Sequence, residues 1–472
     1  MSPERFSQMW YRNRNQQLSA FILLAVCGFS ALNEAGTFPS FSFVTGTLLG
    51  LFILMEWSRI HKFIRLVPVG ALIFSIFLVQ TNKISIQTVS TAIDRAAFFA
   101  FFFTGFSILR EAASSSALVH KCGLILMSQP PGRRYMSMTL GSHLLGILLN
   151  FGALNVLGVT IQNQLKPENE PQKKAIRKIR VRRMFTAVQR GIAAISMWSP
   201  TSFTMVLIFT GLPELSWSDY VPIGMVIGVL FLLWGALLDK LLHPKAVQIQ
   251  QGTFKISLFA NLLALFSVIP AMAFLIVHFL PYNFLVAMIL SSTVCGIGWM
   301  VFQGLNSSRF NGFSEVKRRF FVDIPEVFTA QRNEISLVGF SAFIGILVVP
   351  LIDPVWVQNL LLQSGFDQAW LLICIGWVIV LGSFVGMNPV VTVTILLGLV
   401  RVVPELGFPP VALIAVISVS WAVMITVSPL AAAQMLTSRL SGTPVKEIVI
   451  HWNGLFAIST MLAMDILLIL LL

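Results

Sequence analysis

Apolar runs of roughly 17 to 25 residues alternate along this chain with short connectors that are polar and mostly basic, a pattern that predicts membrane-spanning helices. The runs start near Leu18, Phe38, Leu66 and Ala92, then at Ala187, Val221, Ile256, Asn283, Glu334, Val411 and Ile448, about eleven in all. Two further apolar segments, Met136 to Thr160 and Trp370 to Val400, carry helix-weakening residues at their centres: Leu149-Asn150-Phe151-Gly152 and Gly386-Met387-Asn388-Pro389. Gly and Pro interrupt the backbone ladder, and Asn offers one amide acceptor and two donors. These two segments are expected to enter and leave the membrane on the same side, as re-entrant helical hairpins. Non-helical backbone at that depth is tolerated only where protein or a water-filled cavity satisfies it.

The same ordered set of signals occurs twice. The first copy runs Gly105-Phe106-Ser107, Gln129, Asn150, Ser199-Pro200, and closes around Asp219 and Gly224; the second runs Gly339-Phe340-Ser341, Gln363, Asn388, Ser428-Pro429, and closes around Glu447 and Gly454. Paired apolar segments broken at corresponding places are the sequence trace of a secondary transporter. The division this predicts is 1–91, N-terminal scaffold helices; 92–245, a first repeat with hairpin 136–160 and broken helix 187–212; 246–333, scaffold helices and an amphipathic link; and 334–472, a second repeat with hairpin 370–400 and broken helix 408–438.

Composition agrees with a bilayer. Hydrophobic residues are 56% of the chain and charged residues 11%, with mean hydropathy +0.84, too few charges to cover a water-facing globule. The net charge of +13 does not by itself point to nucleic acid, because the cations cluster in connectors: Arg12 to Arg14, Arg59 to Arg65, Arg133 to Arg183, Lys240 to Lys245 and Arg309 to Arg319. Such clustering reports cytoplasmic loops. All of them fall on one side only if the two hairpins do not cross, with a cytoplasmic N-terminus. The first hairpin then opens inward and the second outward, so the repeats are inverted. The first apolar run follows a basic head, Arg5 to Gln17, without a cleavage site, and is expected to be a retained helix of a cytoplasmic (inner) membrane protein. Cys27, Cys122, Cys295 and Cys374 lack metal-ligand spacing and read as small hydrophobes. The loop Lys166 to Arg183 reads as a cytoplasmic linker, and Gln303 to Arg332 as a segment along the membrane surface.

The helices after the hairpins carry Ser196-Met197-Trp198-Ser199-Pro200-Thr201-Ser202 and Thr426-Val427-Ser428-Pro429 at mid-span. Proline there removes a backbone bond and frees carbonyls. A broken helix offers N–H groups to an anion and bare carbonyls to a cation.

This layout resembles the ion transporter superfamily, particularly its divalent anion:sodium symporters and citrate transporters. Leu148-Leu149-Asn150-Phe151-Gly152-Ala153-Leu154 looks like that family's hairpin tip; Ser199-Pro200-Thr201-Ser202, followed by Leu215-Ser216-Trp217-Ser218-Asp219-Tyr220, looks like its unwound helix and following turn. Where those symporters usually carry hydroxyl residues at the tips, this chain has Leu149 and Phe151, and Met387 and Pro389. The likeness extends from about Ala92 onward. It implies an all-α polytopic fold, a homodimer, and hairpin-bearing domains that slide in an elevator motion.

The expected activity is secondary transport of a small organic anion. The substrate- and ion-binding candidates are Asn150, Phe151, Gly152, Ser199, Pro200, Thr201, Ser202, Asn388, Pro389, Thr392, Ser428 and Pro429. The hairpins and broken helices hold no Asp, Glu, Lys or Arg between Met136 and Thr160, Gly191 and Pro213, Trp370 and Gly398, or Phe408 and Ser438. Sodium needs only neutral oxygens, which Asn150, Asn388 and freed carbonyls supply, so Na+ is favoured over H+ as the coupling ion. His143, Glu111 and Glu334 are the candidates for a proton or gate role. No cofactor and no resident metal are expected. The alternatives are a membrane enzyme or assembly subunit acting on lipid-linked substrates, although the clustered carboxylates, His or loop motif an enzyme would normally need are not visible, and a proton-coupled exporter of another solute.

Overall fold

The computed structural model describes residues 3–36, 41–165, 170–243, 256–306, 312–403 and 406–472. All regular structure among them is helical. In chain order the helices are α1 (Pro3–Ala35), α2 (Ser42–Glu56), α3 (Leu66–Gln80), α4 (Ile86–Ser114), α5 (Ala117–Met127), α6 (Pro131–Leu149), α7 (Phe151–Gln164), α8 (Pro171–Ala193), α9 (Phe203–Gly211), α10 (Trp217–Leu242), α11 (Ile256–Phe279) and α12 (Phe284–Leu305). They continue as α13 (Gly312–Arg318), α14 (Ile324–Ala330), α15 (Arg332–Glu334), α16 (Phe340–Val348), α17 (Pro354–Ser364), α18 (Gln368–Phe384), α19 (Pro389–Val402), α20 (Pro410–Val427), α21 (Ala432–Ser441), α22 (Val445–Glu447) and α23 (Gly454–Leu471). π-Helical turns interrupt the series at Arg319–Asp323, Ile335–Gly339 and Ile448–Asn453.

Among the described residues, eight stretches are long and apolar enough to cross a membrane: Arg14–Ala35, Ile86–Ser114, Trp217–Leu242, Ala260–Phe279, Phe284–Leu305, Gly312–Leu351, Pro410–Ser441 and Val445–Leu471. They match eight of the eleven expected spans. The run at Phe38 becomes α2 and the run at Leu66 becomes α3, each 15 residues, or about 22 Å of helix against a hydrocarbon core of about 30 Å. The run at Ala187 is divided between α8 and α9. The expected linker Lys166 to Arg183 is helical from Pro171 onward, because α8 starts there and continues through the basic residues into the apolar ones; positions 166–169 lie outside the described residues.

The chain forms two compact units, Met1–Ser115 with Phe266–Asp353, and Ser116–Leu265 with Pro354–Leu472. These boundaries differ from the divisions at 91/92 and 333/334 drawn from the sequence, because α4 and the helices of 312–353 share a core with α1, α2 and α12. In that first unit α4 is the central helix, with Phe98, Phe99, Phe101, Phe102 and Phe106 all buried. Gly296 of α12 admits it closely: a Cβ there would stand 2.8 Å from the backbone nitrogen of Leu109.

The second unit collects both hairpins and both broken helices. Gly146 of α6 lies beside Ile195, Ser142 beside Gly191, and Gly158 of α7 beside Phe185. The chain thus advances along α8 in α6 and returns along it in α7, doubling back at Asn150. In the second pair, Gln368 at the start of α18 donates to the carbonyls of Leu406 and Gly407 just beyond α19, at 3.4 and 3.0 Å. That pair also closes on itself, with its turn at 385–388. The two broken helices run antiparallel: Gln189 of α8 meets Gln434 and Thr437 of α21, while Phe203 of α9 packs on Trp421 of α20 with centroids 5.7 Å apart. The second arms are exchanged between halves. Gly158 of α7 faces Leu440 of α21, Gly211 of α9 faces Leu397 of α19, and at each glycine a Cβ would be 2.6 Å from the leucine.

Candidate functional site

Helix α8 ends in a 3-10 turn, Ala194–Met197, and α9 begins at Phe203. Pro200 in the gap has no N–H to donate, so the α-ladder cannot continue through it. Ser202 caps α9 by accepting from the Met205 N–H at 3.4 Å. Ser199, Thr201 and Ser202 are buried. The Thr201 hydroxyl donates to the carbonyl of Ile147, in the last turn of α6, at 2.9 Å. Its single proton is then committed, so in the 2.9 Å contact between Ser199 Oγ and Thr201 Oγ1 the serine is the donor. A hydroxyl chain therefore ties the first break to the first hairpin.

The tip of that hairpin is one residue. Asn150 sits at φ 49, ψ −130, a region that β-carbons disfavour. Its N–H donates to Gly146 at 2.7 Å and ends α6. Helix α7 starts at Phe151 without a side-chain cap. Phe151 is exposed, and Asn150 and Gly152 are half-buried.

The second half repeats the arrangement with different residues. Ser428, 2% exposed, donates to the carbonyl of Ser383 near the end of α18 at 3.2 Å. Helix α21 starts at Ala432 with no side-chain cap. At the tip Gly386 takes the positive φ of 87, and Asn388 caps α19, accepting from Val390 N–H at 2.9 Å with Pro389 in the first turn. The Thr392 hydroxyl donates to the Asn388 carbonyl one turn earlier at 3.2 Å. Pro429 is half-buried and Leu430 beside it is 56% exposed.

Each half therefore gathers two helix N-termini, α7 with α9 and α19 with α21, and the C-terminal ends of α6 with α8 and α18 with α20. The N-terminal ends carry partial positive charge and suit an anion; the C-terminal carbonyls suit a cation. Two of the four N-terminal ends, α7 and α21, carry no side-chain cap.

A buried polar network joins the halves, and sequence reasoning missed it. Gln189 donates to Gln434 at 3.1 Å and Thr437 at 2.8 Å and accepts from Asn453 at 2.9 Å; Gln434 donates to the carbonyls of Ile425 and Thr426, at 2.9 and 2.7 Å, where α20 stops. Next to Gln189, the buried Arg190 donates to Tyr135 at 2.9 Å and to the carbonyls of Gly235 and Trp452, and lies 4.2 Å over the Phe456 ring. Trp452 lies in the π-turn Ile448–Asn453, where the local ladder departs from α-helical register. A Gln-Arg pair inside the apolar run from Met184 to Met197 was the available signal, since intramembrane cations are rare.

His143 lies in α6 beside the first break. Its Nδ1 is 2.9 Å from the Gly191 carbonyl, and its Nε2 accepts from the Trp198 indole at 3.2 Å. Glu111 and Glu334 belong to the first unit, the breaks to the second. Asp465 of α23, 9% exposed, accepts from the Trp377 indole of α18 at 2.9 Å, and its other oxygen has no hydrogen-bond partner among the described residues. No cluster of three or more metal-ligating side chains occurs among the described residues.

No family model and no curated protein matches this chain. Among solved structures it is similar to one described as "Crystal structure of the Alcanivorax borkumensis YdaH transporter reveals an unusual topology", at 14% identity and a TM-score of 0.48, over 78% of this chain and 83% of that one. At that level the likeness assigns neither a family nor an activity.

Proposed function

We propose that this protein is a secondary active transporter, which moves a small organic anion of carboxylate type across the cytoplasmic membrane by alternating access. The observation that carries the reading is the pair of hydroxyl bridges, Thr201 to Ile147 and Ser428 to Ser383, each fastening a helix break to the hairpin of its own half. Breaks and tips so paired, in helices that run antiparallel, are what an inverted repeat around a shared substrate site requires. Both hairpins lie in one compact unit with its own core, which suits an elevator motion of that unit against a scaffold, in a homodimer with cytoplasmic N-termini.

Sodium is the favoured coupling ion. Asn150 is its better amide ligand, because the Asn388 side-chain oxygen already accepts one hydrogen bond in capping α19. His143 is a poor proton carrier. Indole only donates, so Nε2 must be unprotonated and Nδ1 must carry the hydrogen toward Gly191. A proton-coupled carrier is the second reading, and Asp465, a carboxylate in an apolar helix with one oxygen unpartnered, favours it.

The test is thermal stability of the purified protein against a panel of organic anions, each in Na+ and in choline, followed by uptake into proteoliposomes under a sodium or a pH gradient. A ligand that binds the native state raises stability by mass action. Stabilisation by one anion, dependent on Na+ and lost in Asn150→Ala, supports the sodium reading. Uptake driven by the pH gradient alone and lost in Asp465→Asn replaces it with the proton reading. No anion effect in a folded protein with no uptake overturns both.

A further inference from the structure

The first unit contains a cavity of about 670 Å³ between α2, α3, α4 and α16, a volume ordinary for a small-molecule pocket. Its walls include Phe43, Gly50, Trp57, Val69, Leu72 and Phe340. The two hydroxyls on the wall are spent: Thr47 donates to the Phe43 carbonyl at 2.8 Å and Ser75 to the Leu72 carbonyl at 2.8 Å. What remains is a mostly apolar slot with no charged side chain on its wall. It follows α2 from Phe43 to Trp57, about 21 Å at 1.5 Å per residue, which is long and narrow enough for a hydrocarbon chain.

One end of the slot is charged. Trp57 lines the cavity, and the Arg65 guanidinium stands 5.6 Å over its ring. The connector from Trp57 to Arg65 also carries Arg59 and Lys62. The nearest acid, buried Glu56, is already shared by Arg59 at 3.4 Å and Arg332 at 3.8 Å. Lys62 and Phe63 are exposed, and Lys62 makes no ion pair among the described residues. Positive charge thus remains uncompensated beside the Trp57 ring at one end of an apolar slot, the combination that suits an anionic lipid headgroup.

We propose that this cavity is a binding site for one anionic glycerophospholipid, with an acyl chain lying along α2 and its phosphate held by Lys62, Arg65 and Arg59. The lipid would lie beside the short helices α2 and α3, whose 15 residues each fall below the thickness of the hydrocarbon core. The site depends on the protein spanning a bilayer and not on what the protein carries.

The experiment is native mass spectrometry of the full chain, delipidated and then titrated with phosphatidylglycerol or phosphatidylcholine of identical acyl chains, with glycerol 1-phosphate as a headgroup-only control. The expected result is one tightly retained phosphatidylglycerol, weaker phosphatidylcholine, and no retention of the headgroup alone. Gly50→Leu fills the slot without a clash, since a Cβ there meets nothing within 4 Å, and leucine favours the helix; retention should be lost in a folded protein. Lys62→Gln keeps the slot and should weaken phosphatidylglycerol by about five-fold, the effect of one surface cation, with phosphatidylcholine unchanged. Equal retention of the two lipids by the wild type, or retention unaffected by Gly50→Leu, overturns the proposal. So does conversion of a dimer to a monomer by Gly50→Leu with lipid retention intact, which would assign the slot to a second copy of the chain.

Discussion

The Trp198 indole donates to Nε2 of His143 at 3.2 Å, and this contact sets the protonation state of the histidine. With the indole N–H pointing at it, Nε2 has no room for a proton of its own, and the Gly191 carbonyl takes the hydrogen on Nδ1. The imidazole is a structural clamp between α6 and the end of α8. Trp198→Phe removes the donor and leaves Nε2 without its partner. A loss of about 1 kcal/mol in stability is expected, read from chemical denaturation. In proteoliposomes, proton flux in His143→Gln should equal that of the wild type; a loss of proton flux would restore His143 as a carrier.

Thr201 and Ser428 make the same contact in the two halves, so their variants should behave alike. Thr201→Val keeps the shape of the side chain but strips the donor from the Ile147 carbonyl and from the hydroxyl chain with Ser199. Ser428→Ala does the same to Ser383. Each should cost about 1–3 kcal/mol, the penalty of an unpaired buried polar group, and each should abolish anion-dependent stabilisation. Thr201→Ser restores the donor and should recover both. If Thr201→Val binds the anion as well as the wild type, the bridge plays no part in shaping the site.

The places where the backbone fails to be helical could be read from the sequence; the places where side chains meet could not. Asn150 next to Gly152, and Ser199-Pro200, are local signals, because a missing N–H or a tolerated positive φ acts on the residue that carries it. The doubling back at Asn150 and at 385–388 follows from such signals plus segment length. The reciprocal packing of α7 on α21 and α19 on α9 depends on glycines meeting leucines some 190 to 280 residues away in sequence, which no local pattern encodes. Asn388 illustrates the same limit: the sequence marks it as a tip residue but does not show that its side-chain oxygen caps α19 by accepting from Val390 N–H. The helices α2 and α3 are 15 residues each, shorter than their apolar runs suggest, because hydropathy alone does not show where a helix stops.

Asn150 separates fold from chemistry. Its φ of 49 strains any residue with a β-carbon, so Asn150→Gly should relieve about 1 kcal/mol and yield a protein at least as stable as the wild type. If the amide is a ligand, the same variant loses sodium-dependent stabilisation. Asn150→Val retains the strain, adds a branched side chain and should unfold more readily. The measurement is thermal unfolding of both variants in Na+ and in choline. Sodium dependence preserved in Asn150→Gly removes Asn150 from the ion site.

Gln189 and Gln434 are the point at which the two halves are fastened, and their coupling can be measured. Gln189 uses both amide hydrogens, on Gln434 and Thr437, and its oxygen on Asn453; Gln434 uses both of its own on the carbonyls released where α20 stops. Every polar atom of this pair is answered, so removing one partner leaves several buried groups bare, whereas removing both leaves few more. Gln189→Leu and Gln434→Leu are each expected to destabilise by about 1–3 kcal/mol, and the double variant by less than the sum, with a coupling of about 0.5–3 kcal/mol. Chemical denaturation of the four proteins in the cycle gives the number. Strict additivity would mean that the halves are held together by apolar packing alone, leaving the network without a role in keeping the two breaks aligned.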